Sequence, residues 1–176
     1  MASQLTLVKS INCFILLAVT IALAGCAGTA VDTSHPLIKD ATAGPLAHIY
    51  FIRPQTERFL GMADNKLAVE LDQQHILDIV KGEYALIDIE PGDIWVTTRS
   101  STSWGPRQAV KKMSKSRRFN FEGGNTYFIV IKPVDGEFRG VYYMPESVSL
   151  SEAKQVVRGL RATGEAKNTP IKALEG

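Results

Sequence analysis

"KLAVELDQQHILDIVKGEYALIDIEPGDIWVTTR", residues 66–99, is the stretch whose reading decides the fold. In "KLAVELD" (66–72) the side chains of Leu67, Val69 and Leu71 fall on one side, the period of a strand rather than of a helix. Asp72-Gln73-Gln74 is a short polar turn, and "HILDIV" (75–80) returns from it as the second arm of a hairpin. "EYALIDI" (83–89) then runs to Pro91-Gly92-Asp93. There proline presets the first corner of a turn and glycine permits the second, so "IWVTTR" (94–99) is expected to run back.

The same grammar continues on both sides. "AHIYFIR" (47–53) is β-branched and aromatic on both faces, as a central strand requires. Residues 100–116, with Trp104, Gly105 and Pro106, read as less regular. "RRFNFE" (117–122), the turn Gly123-Gly124-Asn125 and "TYFIVIK" (126–132) read as another hairpin. Asp135-Gly136 turns the chain into "FRGVYYM" (138–144). Seven or eight short strands with regular turn signals predict a mainly β fold, an antiparallel β-sandwich. One C-terminal helix closes it. Ser149 and Glu152 stand at capping-box spacing, Leu150, Ala153, Val157 and Leu160 share a face, and Gly164 is its expected end. Aromatics at strand spacing, Tyr50, Phe51, Tyr84, Phe128, Tyr142 and Tyr143, are expected in or near the core.

The N-terminus carries a different message. Lys9 and the amino group form a positive region, and "INCFILLAVTIALA" (11–24) is an apolar core too short to span a bilayer comfortably. Leu23-Ala24-Gly25-Cys26 follows. It resembles the bacterial lipobox at all four positions. That resemblance implies cleavage between Gly25 and Cys26 and a covalent lipid on Cys26, with no other cofactor expected. Two or three acyl chains on one residue make a lasting anchor where one would not. Cys13 would leave with the signal, so no disulfide is expected. Residue 27 is Ala, not the Asp that tends to hold such lipoproteins at the inner membrane. The resemblance therefore implies the periplasmic side of the outer membrane. The expected organisation is a signal peptide at 1–25, a lipidated cysteine and flexible tether at 26–45, the β-sandwich with its helix at 46–163, and a disordered tail at 164–176.

"AHIYFIRP" (47–54), "GEYALIDIEPGD" (82–93) and "GGNTYFIVI" (123–131) together resemble the DUF2846 family of bacterial lipoproteins. The resemblance covers roughly residues 46–160 and implies a domain similar to PEGA-type β-sandwiches. It implies no established activity or site. The family usually has Asp-Gly where this chain has Asp72-Gln73-Gln74, and often His where it has Asp93.

The residues argue against several chemistries. The chain has 20 basic and 18 acidic residues, a formal charge of +2 that is too small to mark a nucleic-acid binder. Loss of Lys9 with the signal leaves it nearly neutral. His35, His48 and His75 lie far apart, and no cysteine remains to complete a zinc set. No nucleophile elbow or phosphate-binding glycine loop occurs. Glu70 with Asp72 and Asp88 with Glu90 stand at same-face spacing. Either pair could serve acid/base chemistry, but alternating acids on a half-buried sheet are ordinarily its wet face. No enzymatic activity is expected.

The unusual segment is "WGPRQAVKKMSKSRRF" (104–119). It holds Arg107, Lys111, Lys112, Lys115, Arg117 and Arg118 with no acid, beside Trp104 and Met113. On an anchored domain such a segment suits an anionic envelope partner: lipid phosphate, lipopolysaccharide or cell-wall peptide. Against this stands a solvated edge whose lysines deter pairing. The expected function is that of a lipid-anchored cell-envelope lipoprotein with a non-catalytic binding or structural role. The alternatives are an adaptor that joins an envelope assembly by strand addition and a small periplasmic hydrolase.

Overall fold

A computed structural model describes Val31, Ile38 and residues 45–55, 66–104, 109–135 and 141–172. The strands in chain order are β1 (Ala47–Arg53), β2 (Leu67–Leu71), β3 (Gln74–Ile79), β4 (Glu83–Ile89), β5 (Gly92–Trp104), β6 (Ala109–Phe121), β7 (Thr126–Asp135), β8 (Val141–Val148) and β9 (Arg161–Gly164). The helix, α1, spans Leu150–Val156, and a 3-10 turn covers Glu165–Lys167. They form a five-stranded sheet in the order β8-β7-β1-β4-β9 and a four-stranded sheet in the order β3-β2-β5-β6. The mainly β sandwich read from the sequence is the architecture found.

Between the sheets lies the principal core, with Ile49 and Phe51 of β1, Leu67 and Val69 of β2, Ile87 of β4, Val96 of β5, Phe121 of β6 and Ile129 of β7. A second apolar cluster covers the other face of the five-stranded sheet. Tyr50, Ile52, Tyr84, Leu86, Phe128 and Val130 meet Ala153 from the helix, Val157 from its C-cap, and Ala166 and Ile171 from the C-terminal segment. Tyr50 and Phe128 stack with centroids 5.5 Å apart. This explains the two-faced apolarity of "AHIYFIR": β1 sits mid-sheet, with one face against the partner sheet and the other under the helix.

Several expectations are corrected. Residues 83–89 and 94–99 do not form a hairpin, because β4 and β5 belong to different sheets and Pro91-Gly92 carries the chain between them. The same holds for β6 and β7 across Gly123-Gly124-Asn125. Here the turn is tied to the start of β1: Gly124 N donates to Leu46 O at 2.8 Å and His48 N to Asn125 O at 2.9 Å. Gly123 sits so close that an added Cβ would fall 2.2 Å from Pro45 O. So guided, β7 runs parallel to β1, and β9 is likewise parallel to β4, while the remaining pairs are antiparallel.

Residues 100–116 are not irregular over most of their length: β5 and β6 pair without interruption from Gly92↔Phe121 to Trp104↔Ala109. The third turn-like feature does hold as a hairpin, β2–β3, with Asp72 and Gln73 both at positive φ (46° and 70°). A register shift at Val69/Glu70 lets Ile76 and Leu77 both be buried.

The helix is shorter than its apolar periodicity predicts. Ser149 Oγ accepts from Glu152 N at 3.2 Å as a cap should, yet the helix stops at Val156 and Gly159 turns the chain at φ +72°. Residues 164–172 are not a disordered tail. They lie over the five-stranded sheet, with Ala166 and Ile171 buried and Thr169 O accepting from the Tyr50 hydroxyl at 2.6 Å. Seven helical residues cannot cover five strands, so the chain beyond them is recruited to do so.

Two residues of the expected tether are engaged: Val31 makes an antiparallel bridge with Leu77 on the edge of β3, and Val31 and Ile38 pack against the core. The signal segment, Gly25 and Cys26 lie outside the described residues.

Candidate functional surface

Both faces of the five-stranded sheet are covered; among the described residues no apolar cluster covers the outer face of the four-stranded sheet, although Glu70 and Thr97 on it are buried. Strand alternation decides what it shows. Val96, Thr98 and Ser100 of β5 point inward and are buried, so Trp95, Thr97, Arg99 and Ser101 point out. Through the register they stand beside Arg118, Ser116, Ser114 and Lys112 of β6. Glu70 of β2 lies opposite Thr97.

The face is polar and internally bonded. Arg99 forks onto Glu70, Nε and Nη2 each donating to one carboxylate oxygen at 2.7 Å. That pair, strengthened by its bidentate geometry, raises the Arg99 pKa through the Glu70 hydrogen bond first and its charge second. The Thr97 and Ser116 hydroxyls are 2.8 Å apart. Asp93 accepts from Asn120 Nδ2 at 3.0 Å and from Arg118 Nη2 at 2.9 Å. These hold its carboxyl below the ordinary value, the Asn120 bond contributing most and the Arg118 charge next. At the turn end of this face, beside Asp72, stands Trp95, 49% exposed, the largest apolar side chain the described surface leaves open.

The basic segment is thereby divided. Lys112 and Arg118 belong to the outer face. Lys115 and Arg117 share the parity of buried Met113 and Phe121, so they turn toward the side of the sandwich where β8 packs beside β6. Lys115 Nζ lies 4.9 Å from the centre of the Tyr142 ring and Arg117 lies 5.8 Å from that of Phe119. Of the two adjacent tyrosines, Tyr143 is buried and Tyr142 half-buried. Lys111 pairs with Thr102 and Trp104 with Ala109 near the hairpin tip. Arg107 lies outside the described residues.

The acids singled out by spacing are separated. Glu70 is taken by Arg99, while Asp72 accepts from Trp95 N at 2.9 Å at the hairpin turn. Asp88 faces His48 at 2.7 Å on the five-stranded sheet. His75 instead contacts Asp78 at 3.0 Å, which also takes Lys66 at 3.6 Å. Among the described residues no three of His, Cys, Asp and Glu gather as a metal site would require, and no helix there is long and apolar enough to cross a membrane.

Sequence reasoning missed one polar constellation. Arg53, at the end of β1, is buried between the sheets, donating from Nη1 to Ile79 O at 2.8 Å with its guanidinium 5.1 Å from the centre of the Tyr143 ring. Opposite it in the register is Glu83, also buried and ion-paired with Arg161. The only hint was an Arg-Pro at the end of an apolar strand. Arg53 joins a carbonyl of one sheet to a ring of the other, a clamp rather than a reactive group.

These features define a β-sandwich domain with one bonded polar sheet face. The family described as "Protein of unknown function (DUF2846)" matches residues 45–154, and the chain belongs to it. No curated protein and no solved structure matches.

Proposed function

We propose that this protein is a cell-envelope lipoprotein, anchored through lipid on Cys26, whose sandwich domain has a non-catalytic binding or structural role at the periplasmic face of the outer membrane. The observation that carries the binding role is Trp95. It is half-exposed on the outer face of the four-stranded sheet, beside the β2–β3 turn, with Arg118 as its cross-strand neighbour. An exposed tryptophan among hydrogen-bonded, positionally fixed polar groups is a ready contact for a partner surface. Anchorage is supported by the signal-like segment that ends Leu23-Ala24-Gly25-Cys26.

Anchorage is tested by the intact mass of protein taken from native membranes. A mature chain beginning at Cys26 and carrying acyl mass is expected; an unlipidated one refutes it. Contact is tested in cells with a photo-crosslinking residue at Trp95 or at Ser116, and at Gln155 on the helix as a control. Defined adducts from the first two and none from the third are expected. A pattern that is the same at all three removes the role given to this face.

A second reading is strand addition, favoured by β6, a 13-residue strand at the edge of its sheet. Backbone pairing there would persist at high salt, whereas contacts through Arg118 or Lys112 would weaken.

A further inference from the structure

The chain joins the fold at Val31, on the edge of β3. Cys26 is only five residues earlier, and at no more than ~3.6 Å per residue its Cα lies within about 18 Å of that bridge. The bridge with Leu77 is antiparallel, so the chain reaches Val31 from the Ile79 side. That is the end of the sandwich at which β1, β3, β5 and β7 all finish.

Two long hairpins project at the same end. Pairing of β2 with β5 stops at Ala68↔Arg99, yet β5 and β6 continue for five more rungs, to Trp104↔Ala109. Pairing of β1 with β7 stops at Ile52↔Val130, and β7 with β8 likewise runs five rungs further, to Asp135↔Val141. Five rungs at ~3.4 Å make an extension of about 17 Å, comparable to the reach of the tether.

Charge is distributed along the same axis. Lys66, Lys81, Lys112 and Arg161 stand toward this end, with Arg161 paired to buried Glu83, Lys66 to Asp78, and a further acid, Asp135, on the last β7–β8 rung. The described turns at the opposite end carry Asp72, Glu90, Asp93 and Glu122.

We propose that the hairpin end of the sandwich faces the leaflet that holds the Cys26 lipid, with Lys112 toward anionic lipid phosphates. The occupant is the membrane surface itself, and the proposal rests on anchorage at Cys26. The short chain before Val31 sets the distance and the bridge sets the direction; Lys112, three rungs (about 10 Å) short of the last one, is within about a Debye length of headgroups that meet the hairpin end.

The test uses the full lipidated protein in vesicles of phosphatidylethanolamine and phosphatidylglycerol that bear a nitroxide headgroup quencher. Intact mass is taken first, so that a missing lipid, which would defeat the anchorage reading, is recognised separately. Single fluorophores are placed through Ser101→Cys, on the projecting hairpin, or Asn125→Cys, at the opposite end. Quenching at position 101 several-fold stronger than at 125 is expected. Equal quenching, or stronger quenching at 125, overturns the proposed orientation. In vesicles of neutral phosphatidylcholine, or with Lys112→Glu, quenching at 101 is expected to fall at low salt; no change overturns the phosphate contact. Val31→Pro, with far-UV circular dichroism unchanged, is expected to narrow the difference between the two positions. If it leaves that difference intact, the bridge does not set the orientation.

Discussion

Ile171 tests whether the C-terminal segment is structure or appendage. Its side chain is 9% exposed and belongs to the cluster that includes Tyr50, Tyr84 and Phe128 on the outer face of the five-stranded sheet. Ile171→Ala removes three carbons from that cluster. At about 0.8 kcal/mol per buried methylene this is about 2.4 kcal/mol. The segment can relax because it lies near the chain end, so a loss of about 2 kcal/mol is expected, at the low end for such truncations. With a urea m-value of about 2 kcal/mol/M, the midpoint should fall by about 1 M.

Equilibrium unfolding followed by tryptophan fluorescence measures it, with Lys172→Ala as an exposed control. Tyr50→Phe adds a second arm. It removes the 2.6 Å bond to Thr169 O, worth about 1 kcal/mol net. Burial pushes the Tyr50 phenol above its ordinary value, so the hydroxyl remains a donor through neutral pH. Since both changes loosen the same segment, the double variant should lose less than the sum of the two. A change within about 0.5 kcal/mol for Ile171→Ala, the range of an unremarkable surface substitution, would refute the reasoning.

Other expectations are checked by the same unfolding measurement unless noted. Arg99→Ala leaves the Glu70 carboxylate, 11% exposed, without its forked partner. Because Arg99 is itself 39% exposed and solvent screens the pair, a loss of about 1–2 kcal/mol is expected rather than the full cost of a broken buried ion pair. Gln73 occupies left-handed backbone at φ 70° in the two-residue hairpin turn, so Gln73→Gly should stabilise by about 1 kcal/mol. Gly123→Ala should destabilise by about 1–3 kcal/mol, because the new Cβ meets the Pro45 carbonyl and the corner must shift. The Asp93 carboxyl is depressed in the folded state, so its contribution is present above the ordinary value of 3.8 and lost as pH falls through the folded value. Wild type should therefore lose more stability than Asp93→Asn between pH 5 and pH 2; parallel pH profiles would count against the Asn120 and Arg118 contacts.

The two turn types show where local reading succeeds. Asp72-Gln73 was legible as a hairpin turn because the apolar pattern resumes at once on a strand that buries the same face. Pro91-Gly92 and Gly123-Gly124 carry turn signals just as strong, yet each moves the chain to the other sheet. A turn residue specifies local backbone angles. Whether the next strand pairs with the last one depends on which element elsewhere in the chain buries its faces.

The candidate surface divides the same way. Its basic residues were legible as a run, but run length says nothing of the strand beneath it, and alternation sends Lys112 and Arg118 one way and Lys115 and Arg117 the other. Trp95 was legible only as a residue of a strand; its exposure follows from which sheet lacks a second cover among the described residues. The buried Arg53 likewise has no local signature, since its partners come from Ile79 and Tyr143, distant in the chain.

By itself, then, the amino-acid sequence determined what depends on neighbours along the chain: period-two strands, the sandwich class, the Ser149 cap, and the signal-like segment that ends at Cys26. The tertiary structure alone decided the parallel pairing of β1 with β7, the recruitment of residues 164–172 as a cover, and which sheet face stays open. The reason is that hydrophobic burial is non-directional. An apolar face requires some cover, and only the competition among all elements in three dimensions settles which one supplies it.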